Sequence, residues 1–200
     1  MIKNNTKNNC VAILASGNGS NFQAVIDAIE QGELDIQVCV LLTDVSNAYA
    51  IERARKAHIS YIYLKRYKDE PRIEYDKKLC QVVRSFNPDF VFLLGWQRIL
   101  TKYFLEYFSV VNLHPALPNT FVGLHCIEKQ FTAFQRDEIS DCGIMTHYVP
   151  TEEVDAGPVI FSEKVLCFKG ETLEAFENRV HSAEHKLVVK TLKHLCSSKQ

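Results

Sequence analysis

The sequence predicts an α/β protein with a doubly wound, mostly parallel sheet, helices on both faces and an antiparallel extension near the C-terminus. Short Val/Ile/Leu blocks alternate repeatedly with helical hydrophobic patterns, which is typical of successive β and α units. Residues 90–94 are almost wholly apolar, as expected for a central parallel strand covered on both faces. Beyond residue 140, two strand-like segments follow one another and predict antiparallel pairing.

The elements follow from local pattern and from chain breakers. The first predicted helix begins near Asn21 and carries Phe22, Val25, Ile26 and Ile29 at the spacing of a buried stripe. Asn87-Pro88-Asp89 ends a later helix. The predicted strands are 11–15, 36–42, 59–64, 90–94, 110–112, 144–149 and 159–168, and the predicted helices after the first are 48–57, 72–86 and 171–195.

The length of 200 residues and the hydrophobic content of 46% allow one substantial core, so residues 1–200 are expected to form a single domain. Within it we expect residues 10–112 to form a phosphate-binding half. Residues 113–196 would form a catalytic half that includes the C-terminal helix. Residues 1–9 are polar and rich in asparagine, which predicts a frayed, disordered tail rather than a secretory signal.

Charge and cysteine usage restrict the class of partner. The net charge is -1, so nothing indicates nucleic acid or an anionic membrane as a partner, and small molecules are expected instead. No apolar run approaches the roughly 20 residues that a membrane span needs. The seven cysteines are scattered without a C-x-x-C pair, which favours free thiols in a reducing, cytoplasmic compartment and no metal.

The first candidate motif is a glycine-rich stretch, Ser16-Gly17-Asn18-Gly19-Ser20-Asn21, between the first strand and its helix. Its backbone amides, the Ser20 hydroxyl and the positive helix end can bind phosphate oxygens. A tight turn with Ser20 or Asn21 as helix cap explains the same residues equally well. The stretch lacks the third glycine of a dinucleotide fingerprint and the Gly-Lys-Ser/Thr of a nucleotide-hydrolase loop, which favours a monophosphate.

Two further motifs supply proton-transfer chemistry. Asn112 and His114 leave an apolar strand pointing to the same side, and Pro115 fixes the following loop. Asp155, in the run Asp155-Ala156-Gly157-Pro158, can place a carboxylate beside His114 and raise the pKa of the imidazole. Purely structural roles would also explain these residues, with His114 as a packed core histidine and Asp155 as part of an ordinary turn. An amide, an imidazole and a carboxylate together suit acyl-type group transfer without a metal.

Seven segments occur in a fixed order along the chain: Ser16–Asn21, Gly95-Trp96-Gln97-Arg98-Ile99-Leu100, Asn112–Pro118, Gly123-Leu124-His125, His147-Tyr148-Val149, Val154–Pro158 and Arg179–His185. Together they resemble the phosphoribosylglycinamide formyltransferases, the folate-dependent enzymes of purine synthesis. The resemblance covers about residues 10–195. It implies transfer of a formyl group from 10-formyltetrahydrofolate to the glycine amine of glycinamide ribonucleotide.

By the same resemblance, three groups of site residues are expected. Catalysis falls to Asn112, His114 and Asp155. Gly19, Ser20 and Asn21 hold the substrate phosphate, and Glu184 contacts the ribose. The folate site takes Gln97, Arg98, Ile99, Leu100, Asn112, Thr151, Glu152, Glu153 and Val154, with Arg72 nearby.

The chain departs from the commonest bacterial pattern in two places. Its loop reads Ala116-Leu117-Pro118-Asn119-Thr120 where Ser-Leu-Leu-Pro is usual, and eight steps instead of seven separate His147 from Asp155. Both departures resemble a fungal-like branch of the family. They bear on the folate-loop contacts and leave the three catalytic side chains in place.

Other functions remain open on the sequence alone. A methionyl-tRNA formyltransferase would want a further C-terminal nucleic-acid domain and a basic surface, which the sequence does not indicate. A non-catalytic phosphate-binding module would use the glycine-rich stretch and leave Asn112, His114 and Asp155 without a role. A nicotinamide-dependent oxidoreductase would want the missing glycine. The sequence is compatible with a monomer or a homodimer.

Overall fold

The structure is a computed structural model that describes residues 9–197. Its strands are β1 (Asn9–Leu14), β2 (Ile36–Thr43), β3 (Tyr61–Tyr63), β4 (Phe90–Leu93), β5 (Val110–His114), β6 (Cys142–Tyr148) and β7 (Val159–Val165). Its helices are α1 (Ser20–Glu30), α2 (Tyr49–Lys56), α3 (Arg72–Ser85), α4 (Lys102–Leu105), α5 (Cys126–Gln135) and α6 (Leu173–Ser197).

All seven strands form one sheet in the order β3-β2-β1-β4-β5-β6-β7. The first five are parallel, and β6 and β7 add antiparallel strands at one edge. Residues from α1, α2, α5 and α6 form the core on one face, and residues from α3 and α4 form the core on the other. The predicted fold class is therefore confirmed, including its antiparallel extension.

Successive residues of β1 show why the sheet is apolar on both sides. Val11 and Ile13 pack into the core beneath α1 and α6, whereas Ala12 and Leu14 pack into the core beneath α3, and all four are fully buried. Alternation along a strand directs neighbouring side chains to opposite faces. A strand covered on both faces therefore needs an unbroken apolar run.

The sequence-based prediction of elements was incomplete in two places and too long in others. It did not identify α4, which has four residues, or α5, whose apolar residues share their helix with buried Gln130. Predicted strand 59–64 is confined to Tyr61–Tyr63, and predicted strand 159–168 ends at Val165. The tail predicted over residues 1–9 falls outside the described residues except for Asn9, which begins β1, so the prediction is wrong for that residue.

Two features of the fold determine where a ligand site can form. The carboxyl ends of β1, β2, β4 and β5 meet at one edge of the sheet, where ligands bind in open α/β folds. The predicted division between residues 112 and 113 lies inside β5, so one continuous sheet spans both halves. Among the described residues, no helix is long and apolar enough to cross a membrane.

Candidate active site

A cavity of about 440 Å³ opens at the carboxyl edge of the sheet, beside β4, β5 and β6. Its walls come mainly from four segments: residues 95–100 after β4, residues 112–115 at the end of β5, residues 123–125 before α5, and residues 151–155 between β6 and β7. Asn112, His114 and Asp155 all line it. The structure thus brings the three predicted catalytic side chains together.

Strand register explains the placement of the first two. Asn112 and His114 lie two residues apart on β5, so their side chains leave the same face. In the antiparallel pairing of β5 with β6, Asn112 lies opposite His147. The amide nitrogen of Asn112 is 3.1 Å from Nε2 of His147, so a second imidazole joins the group.

Asp155 reaches the group from the loop between β6 and β7. Its backbone has a φ of 53°, a left-handed conformation that L-residues seldom adopt. Gly157 allows this loop to press against β6, because a Cβ there would lie 1.8 Å from the carbonyl oxygen of Tyr148. The loop therefore depends on Gly157 to carry the Asp155 carboxylate back over the end of β5.

The carboxylate of Asp155 is the centre of the cluster. Oδ2 accepts a hydrogen bond from the backbone N–H of Gly123 at 2.8 Å and lies 3.3 Å from Nδ1 of His114. Oδ1 accepts from the Asn112 amide at 3.2 Å and lies 3.5 Å from Nε2 of His147. Burial acts to raise the pKa of Asp155, but the nearby imidazoles of His147 and His114 and the hydrogen bond from the Gly123 N–H outweigh it. The pKa is lowered, so the carboxyl group is ionised.

In each imidazole, one ring nitrogen lies within hydrogen-bond distance of a backbone carbonyl oxygen. That nitrogen therefore carries the proton when the ring is neutral. Nε2 of His114 donates to the carbonyl of Phe121 at 2.8 Å, and Nδ1 of His147 donates to the carbonyl of Tyr148 at 2.8 Å. A neutral His114 therefore presents a lone pair at Nδ1 to Asp155. Protonation of Nδ1 converts that contact into an ion pair.

Burial decides the net pKa of His114, whose side chain is only 4% exposed. Removal from water lowers the pKa, and the Asp155 charge and the Phe121 carbonyl offset this only in part. The expectation that Asp155 raises the pKa is correct for that pair, but the expected net direction is wrong. The sequence identified Asp155 as the partner of His114. The cost of removing the imidazolium from water, which exceeds the attraction of Asp155, depends on packing in the folded structure.

The predicted phosphate site forms a second group beside the first. Gly19 has a φ of 73° and is the residue before α1, and no side chain caps the helix, so neither Ser20 nor Asn21 acts as the cap. The N–H groups in the first turn of α1 therefore have no hydrogen-bond acceptor within the helix. A Cβ on Gly19 would lie 2.8 Å from Cβ of Ala50, so glycine is required where the loop meets α2.

Glu184 of α6 is buried and ties this group together. Its Oε2 accepts from the side-chain amide of Asn21 at 3.2 Å and from Nδ1 of His181 at 2.9 Å. The hydrogen bond to Glu184 raises the pKa of His181. The Glu184 charge also favours protonation of His114. Gly19, Ser20, Asn21 and Glu184 do not line the main cavity.

The predicted folate residues, apart from Arg72, line the cavity itself: Gln97, Arg98, Ile99, Leu100, Asn112, Thr151, Glu152, Glu153 and Val154. Arg72 lies behind the wall, where its guanidinium donates to the carbonyl of Ile99 at 3.3 Å and to Glu152 at 2.9 Å. Glu152 also accepts from the backbone N–H of Lys102 at 2.8 Å. These bonds hold the 151–155 loop against the segment that follows β4.

Sequence reasoning gave no role to two residues that the structure places in support of the cluster. His147 contacts both Asn112 and Asp155, and its position opposite Asn112 depends on a strand pairing that local pattern does not encode. Gln130 of α5 is buried, donates to the carbonyl of Pro115 at 2.9 Å and accepts from the N–H of Gly143 at 2.8 Å. Its signal in the sequence was a lone polar residue within an apolar helix face.

Within residues 9–197, no group of three or more His, Cys, Asp or Glu side chains is arranged to hold a metal ion. The free cysteines Cys39, Cys80, Cys126, Cys142 and Cys167 have raised pKa values, mainly through burial. These thiols are therefore poor nucleophiles near neutral pH. The reactive groups of the cavity are its amide, imidazoles and carboxylate.

Comparison with known proteins shows the family of the chain. Residues 9–192 match the formyl transferase family, to which the chain belongs. A phosphoribosylglycinamide formyltransferase of Dictyostelium discoideum is 40% identical over 92% of this chain and 96% of its own length. One from Schizosaccharomyces pombe is 37% identical over 91% of this chain and 94% of its own length. Within the family, the chain belongs with these phosphoribosylglycinamide formyltransferases.

Solved structures agree with the sequence relatives. The crystal structure of phosphoribosylglycinamide formyltransferase from Bacillus halodurans superposes with a TM-score of 0.88 at 33% identity, covering 96% of this chain and 97% of that one. The corresponding structure from Coxiella burnetii, in complex with CHES, gives a TM-score of 0.88 at 29% identity and covers 96% and 89%. The formyltransferase fold and the family expected from sequence are both confirmed.

Proposed function

We propose that the protein transfers the formyl group of 10-formyltetrahydrofolate to the amine of 5-phosphoribosylglycinamide, a step of de novo purine biosynthesis. The observation that carries the proposal is the convergence of Asn112, His114 and Asp155 in one cavity beside a helix N-terminus suited to phosphate. Kinship with phosphoribosylglycinamide formyltransferases over nearly the whole chain supports this choice of substrates.

In the reaction, the neutral amine attacks the formyl carbon and a new C–N bond forms. The carbonyl oxygen becomes an oxyanion, which protonated His114 stabilises together with the Asn112 amide. The bond between the formyl carbon and the folate nitrogen then breaks. The proton lost by the new ammonium reaches the departing folate nitrogen, with Asp155 assisting directly or through a water. Overall, one formyl group and one proton exchange places.

The hydrogen bonds in the cavity imply a rearrangement before this chemistry. Nδ1 of His114 faces Asp155, so Nε2 is the nitrogen that must face the formyl oxygen. In the structure Nε2 of His114 donates to the carbonyl of Phe121, and the Asn112 amide donates one hydrogen to Asp155 and the other to the Nε2 lone pair of neutral His147. The formyl oxygen must therefore replace the Phe121 carbonyl, which requires movement of the segment after Pro118.

Protonation of His114 fits the same sequence of events. Its pKa is lowered by burial, so the imidazole is held neutral until negative charge develops beside it. The oxyanion and Asp155 then favour the imidazolium from two sides. His114 takes its proton from the new ammonium, directly or by way of Asp155 or a water, and passes it on to the departing folate nitrogen. The imidazolium is therefore present while the oxyanion exists, and it stabilises the transition state more than the bound substrates.

The remaining predicted residues divide between the two substrates. In this proposal the first-turn amides of α1, with Gly19, Ser20 and Asn21, bind the phosphate, and Glu184 binds a ribose hydroxyl. The folate occupies the cavity between Gln97–Leu100 and Thr151–Asp155. Arg72 supports the wall of this cavity through its bonds to the Ile99 carbonyl and the Glu152 carboxylate.

The direct test is incubation of the purified protein with 10-formyltetrahydrofolate and 5-phosphoribosylglycinamide while folate absorbance is recorded. Product folate should appear only when both substrates are present. His114→Ala should lower the rate by about two to four decades, the usual scale for loss of a proton carrier or oxyanion donor. His58→Asn, which alters an exposed histidine just beyond α2, is the control and should leave the rate unchanged. Near-normal turnover of folded His114→Ala would contradict the assignment.

A further inference from the structure

The carboxylate of Asp44 connects two loops that the proposed function assigns to different substrates. Asp44 directly follows β2, and its side chain is only 4% exposed. Oδ1 accepts a hydrogen bond from the Ser16 hydroxyl at 2.7 Å. Oδ2 accepts from Nε of Arg98 at 2.5 Å. Ser16 opens the glycine-rich stretch, whereas Arg98 belongs to the cavity wall after β4.

A further bond closes these contacts into a ring. The Ser16 hydroxyl, which donates to Asp44, also accepts from the backbone N–H of Gln97 at 3.2 Å. The backbone N–H of Ser16 donates to the carbonyl of Gly95 at 3.0 Å. The loops after β2, β1 and β4, which are neighbouring strands, are therefore joined at their carboxyl ends by one set of polar contacts.

Breaking a single contact of this ring is energetically costly. A buried carboxylate that loses its cationic partner remains as an uncompensated charge, which is far more costly than an exposed one. Arg98 has little freedom, because Asp44 binds its Nε and its guanidinium carbon lies 5.8 Å from the centre of the Tyr75 ring. Displacement of either loop must therefore strain the ring or move the other loop with it.

We propose that Asp44 is a positioning residue that makes binding at the glycine-rich stretch and binding at Gln97–Leu100 interdependent. The inference rests on the proposed function, which places phosphate at the first loop and folate at the second. When the ribonucleotide phosphate holds Ser16–Asn21 in place, the Ser16–Asp44–Arg98 ring holds Gln97–Leu100 in its folate-binding position. Because binding free energies are reciprocal, bound folate must favour the ribonucleotide by the same factor.

The test measures this coupling factor directly. Trp96 is the single tryptophan of the chain and borders the cavity, so its fluorescence reports folate occupancy. Tetrahydrofolate is titrated with and without saturating 5-phosphoribosylglycinamide, and calorimetry repeats the titration in the opposite order. For the unaltered protein we expect the ribonucleotide to tighten tetrahydrofolate binding at least about fivefold, the lower end of ordinary coupling between sites.

Three variants separate positioning from general stability. Asp44→Asn keeps the shape and the acceptor for Ser16 but loses the charge, and it should bring the coupling factor to within about twofold of unity. Ser16→Ala removes the hydroxyl link while leaving the ion pair, and it should do the same even if Asp44→Asn folds poorly. Glu74→Gln breaks an exposed ion pair with Lys77 on α3 and should keep full coupling. Melting temperatures are recorded for all three.

The outcomes distinguish this inference from the proposed function. Loss of coupling in Ser16→Ala, and in Asp44→Asn if that variant folds, with Glu74→Gln unaffected, would support it. Binding and turnover of both substrates by the unaltered protein without coupling would overturn the inference and leave the proposed function standing. Retention of coupling in folded Ser16→Ala would also overturn it. Failure of the unaltered protein to bind either ligand would overturn both.

Discussion

Replacement of Asp155 by asparagine tests the electrostatics of the cavity with the smallest change in shape. Oδ2 of Asp155 lies 3.3 Å from Nδ1 of His114. At that distance two unit charges attract by about 5 kcal/mol at an effective dielectric constant of 20. This attraction is the main influence that opposes the lowering of the His114 pKa by burial.

Two results are expected from this substitution. The pKa of His114, already lowered by burial, should fall further in Asp155→Asn because the carboxylate no longer favours the imidazolium. The kcat should fall by about two to three decades, because the imidazolium that stabilises the oxyanion becomes correspondingly harder to form. The KM for the ribonucleotide should change much less, since its predicted contacts lie around Gly19 and Glu184.

The assay combines steady-state rates across pH with NMR titration of isotopically labelled histidine, in which His114→Gln identifies the resonance. Asp141→Asn, at an exposed carboxylate paired with Lys164, is the matched control. Urea unfolding of each variant shows whether the Asp155 loop remains folded. Turnover of Asp155→Asn within threefold of the parent, with an unmoved His114 titration, would refute this electrostatic role.

Three further changes probe the surroundings of the cavity. The folded pKa of His114 lies below its unfolded value near 6.5, so the unfolded chain binds more protons there. The unfolding free energy should fall as pH decreases below about 6.5, and His114→Gln should make this dependence on pH weaker. Urea unfolding at several pH values measures it, and the same pH dependence in the parent and in His114→Gln would contradict the prediction. Gln130→Leu should cost about 1–3 kcal/mol for each buried backbone group left unpaired, among them the N–H of Gly143. An unchanged urea midpoint would refute that role. Gly157→Ala should lower kcat with little change in melting temperature, because its Cβ collides with the Tyr148 carbonyl and displaces the Asp155 loop; parental kcat would show that the loop tolerates the collision.

Most of the fold was predictable because its signals are local. Parallel strands covered on both faces require unbroken apolar runs, and the runs that form β1, β2 and β4 are visible in the sequence. The turn at Asn87-Pro88-Asp89 is equally local, since proline disfavours helix in the residue before it. Helix α5 was missed because its stripe includes Gln130, which serves a contact to β6 rather than the pattern of its own helix.

For the cavity, the sequence by itself determined which chemical groups exist and roughly where they leave their strands. Asn112 and His114 had to share a face because they lie two residues apart on a strand. The opposition of His147 to Asn112 was decided by the β5–β6 register. His114 favours its neutral form because the cost of burying the imidazolium exceeds its attraction to the Asp155 carboxylate. Desolvation and pairing across strands depend on atoms far apart in the chain, so only the tertiary structure could set them.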